Sequence, residues 1–244
     1  MIEIHNLTKR FGDTVAVNRL NLVVEPGEIF GFIGPNGAGK TTTIRIIGGV
    51  LSPTEGSITV AGISLTDDPV RAKREIGFIP DRPYLYEKLT GMEFMKFSAA
   101  LYGVDEQQFA GKAQGLLETF SLWDWSDELI EAYSHGMKQR LIIAAALLHD
   151  PRVLIVDEPM VGLDPAGIKL VKTMLRKLAD GGTTVFMSTH TLSIAEDLCD
   201  RVGIIHRGNL IALGSTGELN RTAQVHEADL EEVFLILTQG DILS

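Results

Sequence analysis

The chain has 244 residues, which is enough to bury the core of one compact α/β domain, with or without an inserted subdomain. Asp and Glu total 32 against 22 for Lys and Arg, and the resulting net charge of −10 argues against a nucleic-acid-binding surface. A single cysteine, Cys199, excludes an internal disulfide.

The N-terminal residues are predicted to form an antiparallel β layer. Apolar and polar residues alternate over residues 2–7 and again over residues 15–24, and the segment 11–13 between them is typical of a turn. Phe11 lies in this turn, shortly before a glycine-rich stretch. Its ring is therefore a candidate to stack on a purine base, with an ordinary core phenylalanine as the alternative.

The glycine-rich stretch lies between a predicted buried strand, residues 29–33, and a predicted helix, residues 41–50. Its glycines let backbone N–H groups point inward, and the positive end of the following helix adds to the attraction for an anion. Lys40 supplies a full charge for β- and γ-phosphates, and Thr41 supplies a hydroxyl for Mg²⁺. The residues predicted to bind a nucleoside triphosphate are Gly34, Pro35, Asn36, Gly37, Ala38, Gly39, Lys40, Thr41 and Thr42.

The middle of the chain changes from strands to helices. Residues 53–56 are predicted to form a turn, 57–60 a short strand and 76–80 a core strand that ends at a proline. Apolar residues then recur at three- and four-residue spacing in three segments, which are 90–101, 107–119 and 136–148. Residues 82–150 are therefore expected to form a mostly helical insertion.

Two acidic residues, Asp157 and Glu158, directly follow the apolar run 153–156. Carboxylates at the carboxyl end of a buried strand are costly unless they meet a cation or transfer a proton. We expect Asp157 to support Mg²⁺ through its water shell and Glu158 to activate the attacking water. A pair of acidic residues at a helix N-terminus is the alternative.

A histidine, His190, follows another buried strand, residues 183–187, which comes after a predicted helix over residues 167–179. Such a histidine seen alone is more often structural than catalytic. Its expected position at the same sheet edge as the other motifs favours a catalytic role. A closing hairpin (201–206 and 210–213) and an amphipathic helix (228–238) are predicted to follow.

These motifs together resemble the ATP-binding subunit of ATP-binding cassette (ABC) transporters, from the first strand to about Leu213. The stretch 34–41 is similar to the family's Walker A loop, 153–158 to its Walker B strand with the catalytic glutamate, 162–164 with Asp164 to its D-loop, and His190 to its switch histidine. Phe11 falls where the family keeps an adenine-stacking aromatic residue. The resemblance implies an α/β P-loop NTPase cassette with a RecA-like parallel core sheet, an N-terminal antiparallel β layer and an inserted α-helical subdomain.

Residues 133–137 resemble the family signature Leu-Ser-Gly-Gly-Gln, which binds the ATP of the opposing subunit. Ser134 is in the position of a helix N-cap, and Gly136 permits close approach of the backbone. His135 and Met137 depart from the consensus glycine and glutamine. The resemblance implies that Ser134, His135, Gly136 and Met137 contact that ATP and that two chains enclose two ATP molecules head to tail.

Asp81 stands where the family has its Q-loop glutamine. A carboxylate can approach Mg²⁺ or its water, so Asp81 joins Thr41 and Asp157 as an expected metal-site residue. It cannot donate a hydrogen bond, however, and it adds negative charge beside Asp157 and Glu158.

The resemblance implies a division of the chain into a nucleotide-binding core (1–81 and 151–226), a helical signature subdomain (82–150) and a C-terminal helix (227–244). It also implies an ATPase motor subunit that uses ATP and Mg²⁺, works as a homodimer or heterodimer of cassettes, and binds no nucleic acid. No secretory signal is visible and no apolar run approaches the ~20 residues that span a bilayer, so we expect a cytoplasmic protein.

Such a subunit would lie on the inner face of the cell membrane and drive separate integral membrane subunits. The tail is similar to those of exporter-type cassettes, which favours export. A soluble cassette with a non-membrane partner is the alternative, and a P-loop kinase or GTPase would leave the signature and His190 unexplained.

The membrane subunit is expected to dock between the Q-loop and the helical insertion, over residues 81–97. Large apolar side chains are too dense there for one helix face to bury them all: Tyr84, Leu85, Tyr86, Leu89, Met92 and Phe94. Tyr84 and Leu85, which precede the predicted helix, are the two expected to be exposed.

Overall fold

The structure is a computed structural model, and it describes residues 1–82, 84–225 and 228–239. The strands within these residues are β1 (Ile2–Phe11), β2 (Thr14–Val24), β3 (Ile29–Ile33), β4 (Glu55–Val60), β5 (Ile63–Ser64), β6 (Ile76–Ile79), β7 (Val153–Asp157), β8 (Thr184–Ser188), β9 (Arg201–His206) and β10 (Asn209–Gly214). The α-helices are α1 (Lys40–Ile47), α2 (Pro69–Arg74), α3 (Gly91–Tyr102), α4 (Glu106–Thr119), α5 (His135–Leu147), α6 (Pro165–Asp180), α7 (Leu192–Leu198), α8 (Thr216–Thr222) and α9 (Leu230–Gln239).

Strands β1, β2, β4 and β5 form an antiparallel sheet in the order β2-β1-β4-β5, which confirms the predicted N-terminal β layer. Strand β4 begins two residues earlier than expected, so Glu55 and Gly56 lie in the strand and not in a turn. The reason is an irregular pairing with β1, in which the register shifts between His5 and Thr8. The glycine at position 56 fits this irregularity because its φ is +89°.

The other six strands form the core sheet in the order β10-β9-β3-β8-β7-β6. All neighbours from β9 to β6 run parallel, and β10 is antiparallel to β9. Ser188 of β8 pairs with Phe32 of β3 on one side and with Asp157 of β7 on the other. The carboxyl ends of β3, β8 and β7 therefore meet at one edge, which is where open α/β sheets bind their ligands.

Helices α3, α4 and α5 lie between β6 and β7 along the chain, and their bounds agree with the predicted segments to within a residue. Their buried side chains Met95, Leu117 and Leu141 belong to the same apolar cluster as Leu154 of β7 and Met187 of β8. The helical region thus completes the core on one face of the parallel sheet. The exact subdomain boundaries at residues 82 and 150 stay a prediction.

Several short elements were not predicted: β5, α2, α7 and α8. Helices of six or seven residues span about two turns, too few to show a helical period. Their caps carried a local signal, because Asp68 accepts from the N–H of Arg71 and Ser215 forms a capping box with Glu218. Helix α9 lies within the range 227–244 expected for a C-terminal helix, and residues 240–244 are outside the described part.

Among the described residues, no helix combines the length and the apolar character that crossing a membrane requires.

Candidate active site

The glycine-rich loop runs from the end of β3 to the start of α1 and is confined on two sides. A Cβ atom at Gly39 would run into the carbonyl oxygen of Ala16 in β2, and one at Gly34 would run into the carbonyl oxygen of Ile205 in β9. Gly39 also has a φ of +112°, a conformation that side chains disfavour. Packing therefore requires glycine at both positions, and backbone geometry requires it at Gly39 as well.

Lys40 folds back over this loop. Its Nζ donates to the carbonyl oxygens of Gly34 and Pro35, at 2.5 and 3.1 Å. Burial lowers the pKa of Lys40, while the nearby carboxylates of Glu158 and Asp157 oppose this change. A half-buried ammonium group above inward-facing backbone amides is suited to bind an anion.

The three threonines after Lys40 differ in their surroundings. The hydroxyl of Thr43 is buried and donates to the carbonyl oxygen of Gly39, at 2.9 Å, so it serves the helix itself. Thr41 is exposed and Thr42 is half-buried. Thr41 is the most exposed of the three, and its role as a ligand of Mg²⁺ stays a prediction.

Asp157 is the last residue of β7, and its side chain is buried. Its Oδ1 accepts a hydrogen bond from the Ser188 hydroxyl of the neighbouring strand. Burial raises the pKa of Asp157, and the negative charges of Asp81 and Glu158 raise it further. The Ser188 hydroxyl and the charge of Lys40 act in the opposite direction. A bound cation would also lower this pKa, so the carboxylate fits a position beside a metal ion.

Glu158 adopts an unusual backbone conformation, with a φ of +52°. Residues other than glycine rarely adopt positive φ, and such strain often accompanies function. Its N–H donates to the carbonyl oxygen of Ser188, at 3.1 Å. Its Oε1 lies 2.7 Å from Nδ1 of His190, and its Oε2 accepts from the Thr189 hydroxyl at 3.3 Å. The end of β8 therefore holds the backbone of Glu158, and the two residues that follow this strand hold its side chain.

His190 itself is open to solvent, with 63% of its side chain exposed against 17% for Glu158. The structure thus brings Asp157, Glu158 and His190 together beside Lys40, at the sheet edge where the sequence predicted them. Sequence reasoning assigned no role to Ser188 or Thr189, which hold the two carboxylates. Their position just before His190 was the only feature of the sequence that pointed to them. Their contacts with the two carboxylates depend on the register of β7 against β8, which neighbouring residues in the sequence do not determine.

Asp81 is exposed and lines a cavity of about 430 Å³ together with Asp157. Its charge acts on the pKa of Asp157, so the two carboxyl groups are close enough to interact. Mg²⁺ in nucleotide sites commonly takes one or two protein oxygens together with phosphate oxygens and waters. Thr41, Asp157 and Asp81 stay the predicted metal-site residues, and the last two line the same cavity.

Replacing Asp81 with Gln is expected to raise the Mg²⁺ concentration needed for half-maximal ATP hydrolysis by about threefold, because an exposed negative charge near the metal becomes neutral. The measurement is a Mg²⁺ titration of phosphate release at fixed ATP. Asp124→Asn, at an exposed site in the short 3₁₀ turn Trp123–Trp125, serves as the control for loss of one charge. Superimposable curves for the wild type and Asp81→Gln would mean that Asp81 does not affect the metal.

The residues of the signature motif lie at the start of α5. Ser134 is its N-cap, and its hydroxyl oxygen accepts from the N–H of Met137, at 3.3 Å. Asp164 caps α6 in the same manner, since its Oδ1 accepts from the N–H of Gly167 at 2.8 Å. The two helices begin close together, because a Cβ at Gly136 would lie 3.6 Å from the carbonyl oxygen of Gly162. The positive ends of two helices therefore lie close together.

Phe11 ends β1 and has 51% of its surface exposed. The Nζ of Lys9 lies 5.1 Å from the centre of its ring. Phe11 is therefore not an ordinary core phenylalanine, which was the alternative considered for it from the sequence. Phe234 of α9 lines a small cavity with Pro35 and His190, and this proximity was not predicted from the sequence.

The residues before α3 differ partly from expectation. Tyr84 is 79% exposed, as predicted, but Leu85 is half-buried and packs against the large apolar core. Tyr86 is 61% exposed instead, and its ring makes an edge-to-face contact with Phe97, at 5.3 Å between centroids.

The family model described as "ABC transporter" matches residues 17–161 of this chain. The linearmycin resistance ATP-binding protein LnrL of Bacillus subtilis (strain 168) is 36% identical over 242 residues, covering 97% of this chain and 78% of the relative. The bacitracin transport ATP-binding protein BcrA of Enterococcus faecalis is 40% identical over 222 residues, covering 91% of this chain and 71% of the relative.

Solved structures agree with these relatives. An ATP-binding subunit of an ABC transporter matches with a TM-score of 0.93 and 34% identity, over 97% of this chain and 99% of the other. The bacterial ABC transporter cassette MJ0796, solved as a dimer, matches with a TM-score of 0.81 and 27% identity, over 88% and 98% of the two chains. The fold, the phosphate loop and the relatives lead to one conclusion: this chain belongs to the ABC transporter family, as an ATP-binding subunit that hydrolyses ATP.

Proposed function

We propose that this chain is the motor subunit of an exporter, in which two cassettes enclose two Mg-ATP molecules head to tail and drive separate membrane-spanning subunits. The observation that carries the proposal is the arrangement of Glu158, which is held by His190 and Thr189 at the sheet edge beside Lys40. A carboxylate fixed in this way can accept a proton from a water molecule that attacks a phosphate.

In this proposal the ring of Phe11 stacks on adenine, and residues 34–42 bind the phosphates through backbone N–H groups and Lys40. Thr41 and, through its water shell, Asp157 would hold Mg²⁺, which would offset phosphate charge, and Asp81 would lie beside them. Glu158 takes the proton of the attacking water. His190 orients Glu158 through its Nδ1 hydrogen bond, and its large exposed fraction leaves the rest of the ring free to face the nucleotide.

The second half of each site comes from the opposing chain. Ser134, His135, Gly136 and Met137 at the start of α5 contact the γ-phosphate bound to that chain, and Asp164 in the adjacent loop lies at the interface. Support comes from the capped, positive helix ends at this surface and from the dimeric cassette among the similar structures. The two chains are copies of this one or a pair of related cassettes.

The membrane-spanning subunit docks near the Q-loop, on the inner face of the membrane. Support comes from the exposed aromatic side chains Tyr84 and Tyr86, of which Tyr84 also lines the 430 Å³ cavity. Large exposed aromatic residues are typical of binding sites for a partner. The direction of transport is outward, as the names of the relatives for linearmycin resistance and bacitracin transport suggest for those proteins.

Changing Tyr84 and Tyr86 to Ser is expected to abolish association with the membrane subunit while ATP binding is retained, because the two rings are exposed and belong to no core. The measurement is co-expression with a candidate membrane-spanning subunit, followed by pull-down from detergent-solubilised membranes. Val70→Ser, at a similarly exposed apolar position on α2, is the control. Equal recovery of the double variant would reject this docking surface. Failure of the wild type to bind any membrane protein would instead favour a soluble cassette.

A further inference from the structure

Helix α9 brings an aromatic side chain to the edge of the catalytic site. Phe234 of this helix and His190 line the same cavity of about 260 Å³, together with Pro35 of the phosphate loop. Leu192, the first residue of α7, also lines this cavity. The C-terminal helix therefore borders the segment that holds Glu158, although the two are distant in the sequence.

This segment connects β8 directly to α7. Thr189 and His190 hold the two carboxylate oxygens of Glu158. The N–H of Thr191 donates to the hydroxyl oxygen of Thr189, at 3.0 Å, so the segment is tied to the start of α7. The position of α7 therefore determines where the His190 ring meets the carboxylate of Glu158.

Helix α7 depends on tertiary packing for its position. It has only seven residues, and its N-cap residue, Thr191, makes no capping hydrogen bond through its side chain to a described residue. Short helices owe most of their stability to the packing of their apolar face. Part of this packing comes from α9, because Ala195 of α7 belongs to the same buried cluster as Leu230 and Val233.

Helix α9 can fix α7 because its own start is well defined. The Oδ1 of Asp229 accepts from the N–H of Glu232, at 2.8 Å, and the carbonyl oxygen of Asp229 accepts from the N–H of Val233, at 3.2 Å. Phe234 follows directly, is half-buried and packs against the edge of the shared cluster, as Leu192 does. The Phe234 ring thus lies where α9, the start of α7 and the cavity beside His190 meet.

We propose that Phe234 is a positioning residue for ATP hydrolysis, and that α9 is part of the catalytic machinery of this cassette. Together with Leu192, the Phe234 ring holds the start of α7 in place and thereby keeps the His190 ring in contact with Glu158. Phe234 acts through His190 and not by contact with the nucleotide. The inference rests on the proposed roles of Glu158 and His190, and it adds a residue outside the matched family region, residues 17–161.

Phe234→Ala is expected to lower kcat about fivefold while the Kd for ATP stays within about twofold of the wild type, because the phosphate loop and Lys40 are unchanged. Phe234→Leu keeps an apolar side chain against the cluster and is expected to retain at least about half of the wild-type kcat. Leu235→Ala, at the next position of α9 and 43% exposed, is the control and is expected to change neither quantity. Equal kcat for Phe234→Ala and the wild type would overturn the proposal.

A second control separates positioning from a general loss of stability. Leu219→Ala removes a fully buried side chain of α8 from the same apolar cluster. It is expected to lower the thermal midpoint of unfolding at least as much as Phe234→Ala does, but to keep the wild-type kcat well below that midpoint. A loss of kcat in Leu219→Ala as large as that in Phe234→Ala would show that Phe234 acts only through stability, which would reject the positioning role.

The variant His190→Ala distinguishes a failure of this inference from a failure of the proposed function. Alone, it is expected to lower kcat more than about tenfold, because Glu158 loses the group that orients it. Adding Phe234→Ala is expected to cause no further loss, because the two residues act in one path. A further loss of about fivefold in the double variant would overturn the inference and leave the proposed function intact. A His190→Ala protein with the wild-type kcat would overturn the assigned role of His190 and this inference with it.

Discussion

Glu158→Gln is expected to bind ATP normally and to hydrolyse it at least about 100-fold more slowly than the wild type. Glutamine retains the size of the side chain and one carbonyl oxygen, so it keeps a hydrogen bond to either His190 or Thr189. It cannot accept the proton of the attacking water, however, because the amide is not basic at neutral pH. The variant is therefore expected to accumulate as an ATP-bound dimer, which gel filtration with Mg-ATP would detect beside a phosphate-release assay.

The control for this variant is Glu196→Gln, which removes the charge of an exposed glutamate on α7, the helix that follows His190. It is expected to hydrolyse ATP at the rate of the wild type. A Glu158→Gln protein that remains monomeric in Mg-ATP and hydrolyses at the wild-type rate would remove Glu158 from the mechanism.

Lys40→Ala is expected to weaken ATP binding by more than about 100-fold, corresponding to roughly 3 kcal/mol for lost hydrogen bonds between an ammonium group and phosphate. The ammonium group is already half-buried, and this burial lowers its pKa, so part of the cost of burying it is met before the nucleotide arrives. To bind a phosphate, however, the ammonium group must give up its hydrogen bonds to the carbonyl oxygens of Gly34 and Pro35. Calorimetric titration with ATP would measure the loss.

Two further variants define what Lys40 contributes. Lys96→Ala, at an exposed position on α3, controls for the removal of one positive charge and is expected to bind ATP as the wild type does. Lys40→Arg keeps the charge but not the compact ammonium group, and is expected to bind ATP more weakly than the wild type. An alanine variant with undiminished affinity would show that the backbone of the loop binds the phosphates without help from Lys40.

The phosphate loop could be predicted from the sequence because its geometry is local. Strand, glycines, lysine and helix follow one another within a short stretch, and each has a composition that fixes its conformation. Asp157 and His190 could be assigned to the same edge for a related reason, since buried apolar runs in a parallel sheet end on one side. These predictions needed strand direction, but not the alignment of one strand against another.

The contacts that depend on alignment could not be predicted. The hydrogen bond from Ser188 to Asp157 requires the register of β8 against β7, and the packing of His135 on Gly162 joins two loops that are distant along the chain. The wrong prediction that Leu85 is exposed, where Tyr86 is exposed instead, likewise reflects tertiary structure that the sequence pattern does not show. Which of two adjacent apolar side chains turns inward depends on the path of the backbone before α3 and not on their hydrophobicity.

Because Glu158 has a left-handed backbone conformation, the residue that suits catalysis at this position is not the one that suits folding stability. Glycine or asparagine would adopt a φ of +52° at lower cost, so a chain optimised only for a stable fold would carry one of them after β7. Glutamate at this point costs about 1 kcal/mol or more of folding free energy. A selection for heat resistance alone would therefore favour glycine or asparagine at position 158. Either residue would stabilise the fold and remove the carboxylate that ATP hydrolysis requires.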